Sequence, residues 1–322
     1  MTPDAFRDLV TRAALAPSVH NTQPARFRLN GDTILISADP ALQLAAGDPE
    51  GRDAGLSCGA AAEAMVLALS GQGIAATLDD RWEADDRATL QGYRLAAVIT
   101  VGGRAEADPL ASALDRRFTH RGMFRPVALA DWRPPDAVLV TDPSAKARIA
   151  SLNDAISLQV LRRTPDRAEL LRWMRLSPRH PDWQRDGMNR DALRMGAAEA
   201  QAAQLVLGPF WGMLNALRLT PMLTAEAAKT QSAQVIAAFH RPSGESPVTS
   251  GRAYLRLTLD AAARGLAMWP MAALADDPVT RLKLEAELGV PPGHHLIQMI
   301  RFGAPDRPAP PRVRRPADDL IV

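Results

Sequence analysis

The sequence is short of cysteine: Cys58 is the only one in 322 residues, so no intrachain disulfide can form and a reducing compartment fits. It lacks an excess of charge, with 38 Lys+Arg against 36 Asp+Glu and a formal net charge of +2. That balance gives neither a nucleic-acid footprint nor a polybasic membrane anchor, and the pI near 9.0 reflects only a small surplus of arginine. No apolar run reaches the ~18 residues of a membrane span. The opening Met1-Thr2-Pro3-Asp4-Ala5-Phe6 has no basic region followed by an apolar one, so no signal peptide is expected. His-Glu-x-x-His and Cys-x-x-Cys are missing, and no metal site is expected. His294-His295 opens a strand, where neighbours point to opposite faces, and His180 and His240 stand apart from it. Gly-x-Gly-x-x-Gly, the P-loop and Gly-x-Ser-x-Gly are also missing, which argues against a Rossmann dinucleotide site, a phosphate-binding NTPase loop and a serine hydrolase. These absences lead to the expectation of a soluble, cytoplasmic protein.

What is present suits such a chain: 47% hydrophobic and 23% charged residues, with length for one large core or two smaller ones. Asp4 to Ala16 reads as a helix, with Phe6, Leu9, Val10, Ala13 and Ala14 on one face and Pro17 as its stop. Arg26–Leu29 and Thr33–Ser37 flank Asn30-Gly31, a hairpin signal favouring a type I′ turn. Arg52 to Leu69 is Ala-rich and apolar almost all round, hence a buried helix, and Arg94 to Val101 is a buried strand ending at Gly102-Gly103. Ser57–Ala75 can be laid without gaps over Thr249–Ala267, matching Gly59 to Gly251, Leu67 to Leu259, Gly73 to Gly265 and Ala75 to Ala267. In both places a buried helix ends at Gly and leads to a strand, the later one being His295–Gly303. An internal duplication is therefore expected. Between the halves, a loop at Ser177–Gly187 and helical stretches at Asp191–Val206 and Phe210–Leu217 have no counterpart in the first half. They suit a lid or added core. The tail carries prolines 305, 308, 310, 311 and 316 and should run extended.

Two stretches carry chemistry. Ala16-Pro17-Ser18-Val19-His20-Asn21-Thr22-Gln23-Pro24 sets Ser18, His20, Asn21, Thr22 and Gln23 between two prolines. Their mixed donors and acceptors suit the edge of a flat heteroaromatic ligand, or an ordinary solvated turn. Arg116, Arg117 and Arg121 with Thr119 make a compact anion site, or a solvated basic helix end.

The first stretch is similar to the flavin-edge loop of the nitroreductase superfamily, in the form of its Acg-like, single-chain, double-length branch. Ala25 departs from the family's Trp after Gln-Pro, which bears on the mouth of the pocket. Arg117-x-Thr119-x-Arg121-x-x-Phe124 resembles the segment that grips the FMN phosphate and ribityl chain. Ala263–Met271, with Gly265 and Leu266, looks like the segment lying against the flavin ring. Arg314-Arg315 resembles the C-terminal basic pair that reaches the phosphate.

The resemblance implies an α+β, nitroreductase-like fold of two fused repeats, an intramolecular pseudo-dimer with an inserted helical lid. The expected halves are 1–110 and 111–322, with the insertion at about 177–248 and the arm at 304–322. The loop survives in the first half and the basic segment in the second, so one FMN per chain is expected between them. The cofactor-binding set is Ser18, His20, Asn21, Gln23, Arg117, Thr119, Arg121, Gly265, Leu266, Arg314 and Arg315, with no catalytic side chain assigned. The implied activity is hydride transfer from NAD(P)H through FMN to a nitroaromatic, quinone or similar acceptor, by a monomeric pseudo-dimer or a homodimer. The rival is FMN storage under a closed lid. A third reading, a structural protein without flavin, would reduce both motifs to surface decoration.

Overall fold

The computed structural model describes residues 1–129 and 131–322. Helix α1 (Pro3–Ala13) starts where the Thr2 side chain caps the Ala5 N–H and Pro3 supplies a ready-made φ, and it buries Phe6, Leu9, Val10 and Ala13. It stops three residues before the expected Ala16. Strands β1 (Ala25–Asn30) and β2 (Thr33–Ala38) form the expected hairpin. Their pairing of Asn30 with Thr33 leaves Gly31-Asp32 as the loop, and only Gly31 takes positive φ (58°). Glycine thus stands first of the two central residues, the II′ arrangement rather than I′. After α2 (Arg52–Ser70), β3 (Ile74–Asp80) and β4 (Arg94–Arg104) complete an antiparallel sheet in the order β1-β2-β4-β3.

The second sheet is built from β5 (Phe124–Arg125), β6 (Ala137–Val140), β9 (Val235–Pro242), β10 (Ala267–Pro270) and β11 (His294–Pro305). Its order is β10-β11-β9-β6, with β5 pairing β11 off that path. Between β6 and β9 run α3 (Pro143–Arg162), α4 (Thr164–Trp173), the short parallel pair β7 (Met174–Arg175) and β8 (Met188–Asn189), then α5 (Ala197–Leu207), α6 (Trp211–Ala216), α7 (Thr220–Thr224) and α8 (Ala227–Gln231). Helices α9 (Pro247–Ala263), α10 (Ala273–Asp276) and α11 (Pro278–Leu288) flank the later strands, and α12 (Ala317–Leu320) ends the fold. Among the described residues no helix is long and apolar enough to cross a membrane.

The α+β architecture turns on α2 and α9. A Cβ built on Gly59 would lie 2.0 Å from the Val248 carbonyl oxygen, and one on Gly251 would lie 2.1 Å from that of Leu56. The two contacts are images of each other: Leu56 is to Gly59 as Val248 is to Gly251, the register in which the repeats align. Only glycine lets the two backbones approach so closely. A turn further on, buried Glu63 of α2 is held by Arg252 (2.8 Å) and Arg256 (2.7 Å) of α9.

Two expected boundaries differ. The insertion expected at about 177–248 includes Val235–Pro242, which is strand β9 inside the second sheet, buried at all but its last two positions. The 304–322 arm, extended from Pro308 to Pro316 as expected, does not remain with the second half. Ala317 and Leu320 enter the first core, and Val322 N–H donates to the Phe27 carbonyl at 3.0 Å.

Candidate functional site

The Ala16–Pro24 loop is where the chain departs most from relaxed geometry. His20, Asn21 and Gln23 all take positive φ, at 46°, 57° and 55°. For side-chain-bearing residues such conformations cost about 1–3 kcal/mol each and persist only where surroundings over-determine them. Here they do. Ser18 Oγ accepts the Gln23 N–H at 2.9 Å. Asn21 Nδ2 donates to the carbonyls of Gly187 (2.9 Å) and Val313 (3.2 Å). Gln23 Nε2 donates to the Arg185 carbonyl at 2.8 Å, and its Oε1 accepts the Arg315 N–H at 2.9 Å. The two amides therefore pin the loop to distant segments, and the pinned backbone turns Ser18 and His20 toward a cavity.

That cavity, about 440 Å³, lies between the halves. The first contributes Ser18, His20, Asp53 and Leu56; the second contributes Thr119, Arg121, Tyr254 and the run Met268–Ala273. Met174, Met188, Leu193, Met195 and Leu207 close it from the connecting segment. Thr119 arrives because Phe118–His120 pairs with β10: Thr119 bridges Met268, and His120 N–H donates to the Met268 carbonyl at 2.8 Å.

A second cavity of about 100 Å³ shares Pro17, Ser18, Thr119, Arg121 and Met188 with the first. Its walls carry Arg117, Arg121, Arg312 and Arg314 and, among the described residues, no carboxylate. Arg117 is 3% exposed, donates Nη2 to the Leu15 carbonyl at 3.0 Å, and leaves Nε and Nη1 buried without a partner. Arg314 gathers the carbonyls that α1 leaves open by ending early, those of Ala14, Leu15 and Ala16, and meets Asn21 Oδ1 at 2.9 Å. Burial first, then Arg312, lowers the Arg117 pKa to about 10. Burial, then Arg117 and Arg312, lowers that of Arg314 to about 9. Burial lowers Arg121 to about 10 against the pull of Glu226. All three stay charged at neutral pH. Arg117 and Arg314 have no carboxylate beside them among the described residues; such buried cations are costly, and a ligand with an anionic end would supply the counter-charge. The joined cavities thus match a molecule with an anionic end and a larger, mostly apolar body.

His20 is held neutral, since burial and then Arg121 lower its pKa from 6.5 to about 4. Between those values the unfolded chain takes a proton that the fold refuses, so stability falls as pH drops through the window. His20→Gln should therefore lose less melting temperature between pH 7 and pH 4.5 than the parent does, both measured without ligand. Superimposable acid profiles would remove His20 from that role.

No family model matches the chain. Among curated proteins it is 37% identical over 125 residues to a putative NAD(P)H nitroreductase of Mycobacterium tuberculosis, covering 38% of this chain and 35% of that one. It is 29% identical over 163 residues to the putative NAD(P)H nitroreductase acg of the same species, covering 50% and 45%. The chain is thus similar, over part of its length, to nitroreductases that include acg. The aligned stretches span less than half the length of those relatives. Solved structures include the FMN and NADPH-dependent nitroreductase NfnB of a Sphigopyxis strain, 17% identical with TM-score 0.36 over 67% of this chain and 98% of that one. NfnB of Mycobacterium smegmatis, solved with NADPH, is 20% identical with TM-score 0.33 over 61% and 89%.

Not every expected site residue reaches the cavities. Ser18, His20, Asn21, Arg117, Thr119, Arg121 and Arg314 line one or both. Gln23 lines neither and spends its amide on the loop. Gly265 (φ 78°) makes the turn after α9 and Leu266 is core, so neither is in a wall; Met268–Met271 stand there instead. Arg315 turns away and pairs with buried Asp186, which also holds Arg175. Of the two histidines inside the motifs, His120 is fully buried outside both cavities, 2.9 Å from the Met123 carbonyl and 2.9 Å from Asp306. The sequence reading missed Asn153, Ser157, Tyr254, Gln298 and Arg301 in the larger wall. Arg301 had a signal: a charge within the apolar run Ile300-Arg301-Phe302. It stacks 3.7 Å over Trp269 and reaches Thr230 at 3.0 Å and Glu226 at 3.3 Å.

Proposed function

We propose that the chain is an FMN-binding oxidoreductase that moves a hydride from NAD(P)H through FMN to a small organic acceptor. The carrying observation is the cluster of Arg117, Arg121 and Arg314 in a carboxylate-free cavity that shares a wall with the larger one. It suits a phosphate joined through a polyol chain to a flat ring. Both walls come from one chain, which supports one FMN per chain without a second copy. Residues 1–110 and 111–322 are taken as the two halves. Bound FMN would supply the hydride chemistry. The arginines would take up the phosphate charge, with Thr119 and Ser18 hydroxyls beside the chain. Neutral His20 would serve the site as a hydrogen-bonding group rather than a charge. Met268–Met271, with Leu56 opposite, would exclude water from the ring.

The apolar wall from the connecting segment, Met174, Met188, Leu193, Met195 and Leu207, favours a second reading: FMN held in storage beneath a lid. Absorbance of the purified protein, followed by anaerobic NADPH and NADH, separates the two. A yellow protein with about one FMN per chain, bleached by either nucleotide, supports the oxidoreductase. Bleaching by dithionite alone supports storage. A colourless protein that FMN cannot reconstitute overturns both.

A further inference from the structure

Away from the cavities, the structure gathers three metal-ligating side chains that lie far apart in sequence. β9 and β11 run antiparallel with His240 opposite Leu296, so His294, two residues earlier, sits on the same face as His240. The two Nδ1 atoms are 2.9 Å apart. Asp136, just before β6, completes a group whose ligand atoms all lie within 4.8 Å of one another. The expectation of no metal site rested on the missing local motifs and on His294 and His295 facing apart. It had no means of pairing His294 with a histidine on another strand.

We propose that Asp136, His240 and His294 bind a divalent transition-metal ion of imidazole preference, with Zn²⁺ as the reference ion. Two imidazoles and one carboxylate, with a fourth position left to water, form an accepted donor set for such ions. Zn–N bonds of about 2.0–2.1 Å set tetrahedral ligand spacings of roughly 3.3 Å, so the imidazoles need to part by only a few tenths of an ångström. Asp136 is fixed by its own backbone, at φ 57° and with its carbonyl accepting the His240 N–H at 2.9 Å. Its carboxylate now pairs with Arg241. That guanidinium also holds Glu245 through two contacts of 2.7 Å, so Asp136 can turn to an ion without stranding a cation. Asp136, Glu245 and Arg241 together leave one negative charge to meet the ion. His240 is buried, while Asp136 and His294 are half-exposed and give an ion its way in. None of the three lines either cavity, so the ion would clamp β6, β9 and β11 rather than serve the redox site.

The test is titration of the chelator-treated full chain with Co²⁺, followed by displacement with Zn²⁺. One equivalent should raise visible ligand-field bands, which Zn²⁺ removes. His240→Ala and His294→Ala should weaken binding at least tenfold, while His295→Ala, on the opposite face, should leave it unchanged. Asp136→Asn, which keeps the side-chain shape, should also weaken it and decides the matter if a histidine variant fails to fold. Absence of the bands, or equal affinity in Asp136→Asn and the parent, overturns the proposal.

Discussion

Gly251→Val is expected to yield a protein that does not fold stably, and Gly59→Val should fail in the same way. At either site the first added carbon meets a backbone carbonyl oxygen well inside contact distance, 2.1 Å at Gly251 and 2.0 Å at Gly59. Overpacking costs about 1–3 kcal/mol where flexible side chains give way. Here nothing flexible is available, because Leu56 O and Val248 O are backbone atoms of two helices packed directly against each other. Relief requires α2 and α9 to move apart, opening the contact that joins the two halves. We expect a loss above ~4 kcal/mol, a large part of the ~5–15 kcal/mol that holds a domain together. Gly212→Ala in α6 is the control: its new methyl meets nothing within 4 Å. Removing a helical glycine there should be neutral or stabilising by about 0.5–1 kcal/mol. The measurement is soluble yield and urea midpoint for all three variants. A Gly251→Val protein with the parental midpoint would mean that the helices do not touch at this position.

The glycine pair also marks how far sequence alone carries. The match of Gly59 to Gly251 was visible because close helix packing leaves a compositional trace, small residues at a fixed register. Helix α1, the first hairpin and β4 were visible because periodicity and turn chemistry are local. Strand β9 was not. Val235–Phe239 is a short apolar run after helical segments, and only its pairing with β11 and β6 makes it sheet. The roles of Asn21 and Gln23 were hidden for a related reason. Their residue types announce hydrogen bonds, but the partners, Gly187, Val313, Arg185 and Arg315, are distant in the chain. Arg314 and Arg315 offer a sharper lesson. Consecutive residues of an extended segment face opposite ways. Arg314 therefore reaches the anion cavity while Arg315 reaches Asp186, and both could not have served one phosphate. Arg117, Thr119 and Arg121 all stand in the cavity walls, Phe118 lines the smaller one beside them, and His120 is buried in the core.

That division of labour predicts opposite behaviour for two arginine variants. Arg117→Met should weaken FMN binding strongly while leaving the flavin-free protein about as stable as before. The guanidinium offers Nε and Nη1 with no protein partner, and a charge-assisted hydrogen bond is worth about 1.5–3 kcal/mol. Losing one of them corresponds to an affinity loss of roughly 10- to 100-fold, and losing both to more. In the empty site the same charge is repelled by Arg312, and its removal relieves that repulsion. The one hydrogen bond lost, to the Leu15 carbonyl, leaves that oxygen still accepting from Arg314 at 3.2 Å. Arg315→Met should do the reverse. It strips one of two cations from Asp186, which is buried among Arg175 and Arg315, and breaking such a pair costs about 3–5 kcal/mol. Whatever folds should still bind FMN at close to parental strength, because Arg315 is in neither cavity wall. Quenching of FMN fluorescence by each flavin-free protein, set beside its melting temperature, separates the two outcomes. If Arg117→Met binds FMN like the parent, the carboxylate-free cavity is not where the phosphate goes, and the unpartnered nitrogens need another counter-ion. If Arg315→Met loses FMN without losing stability, the Asp186 pair is secondary and the side chain must swing into the cavity when ligand arrives.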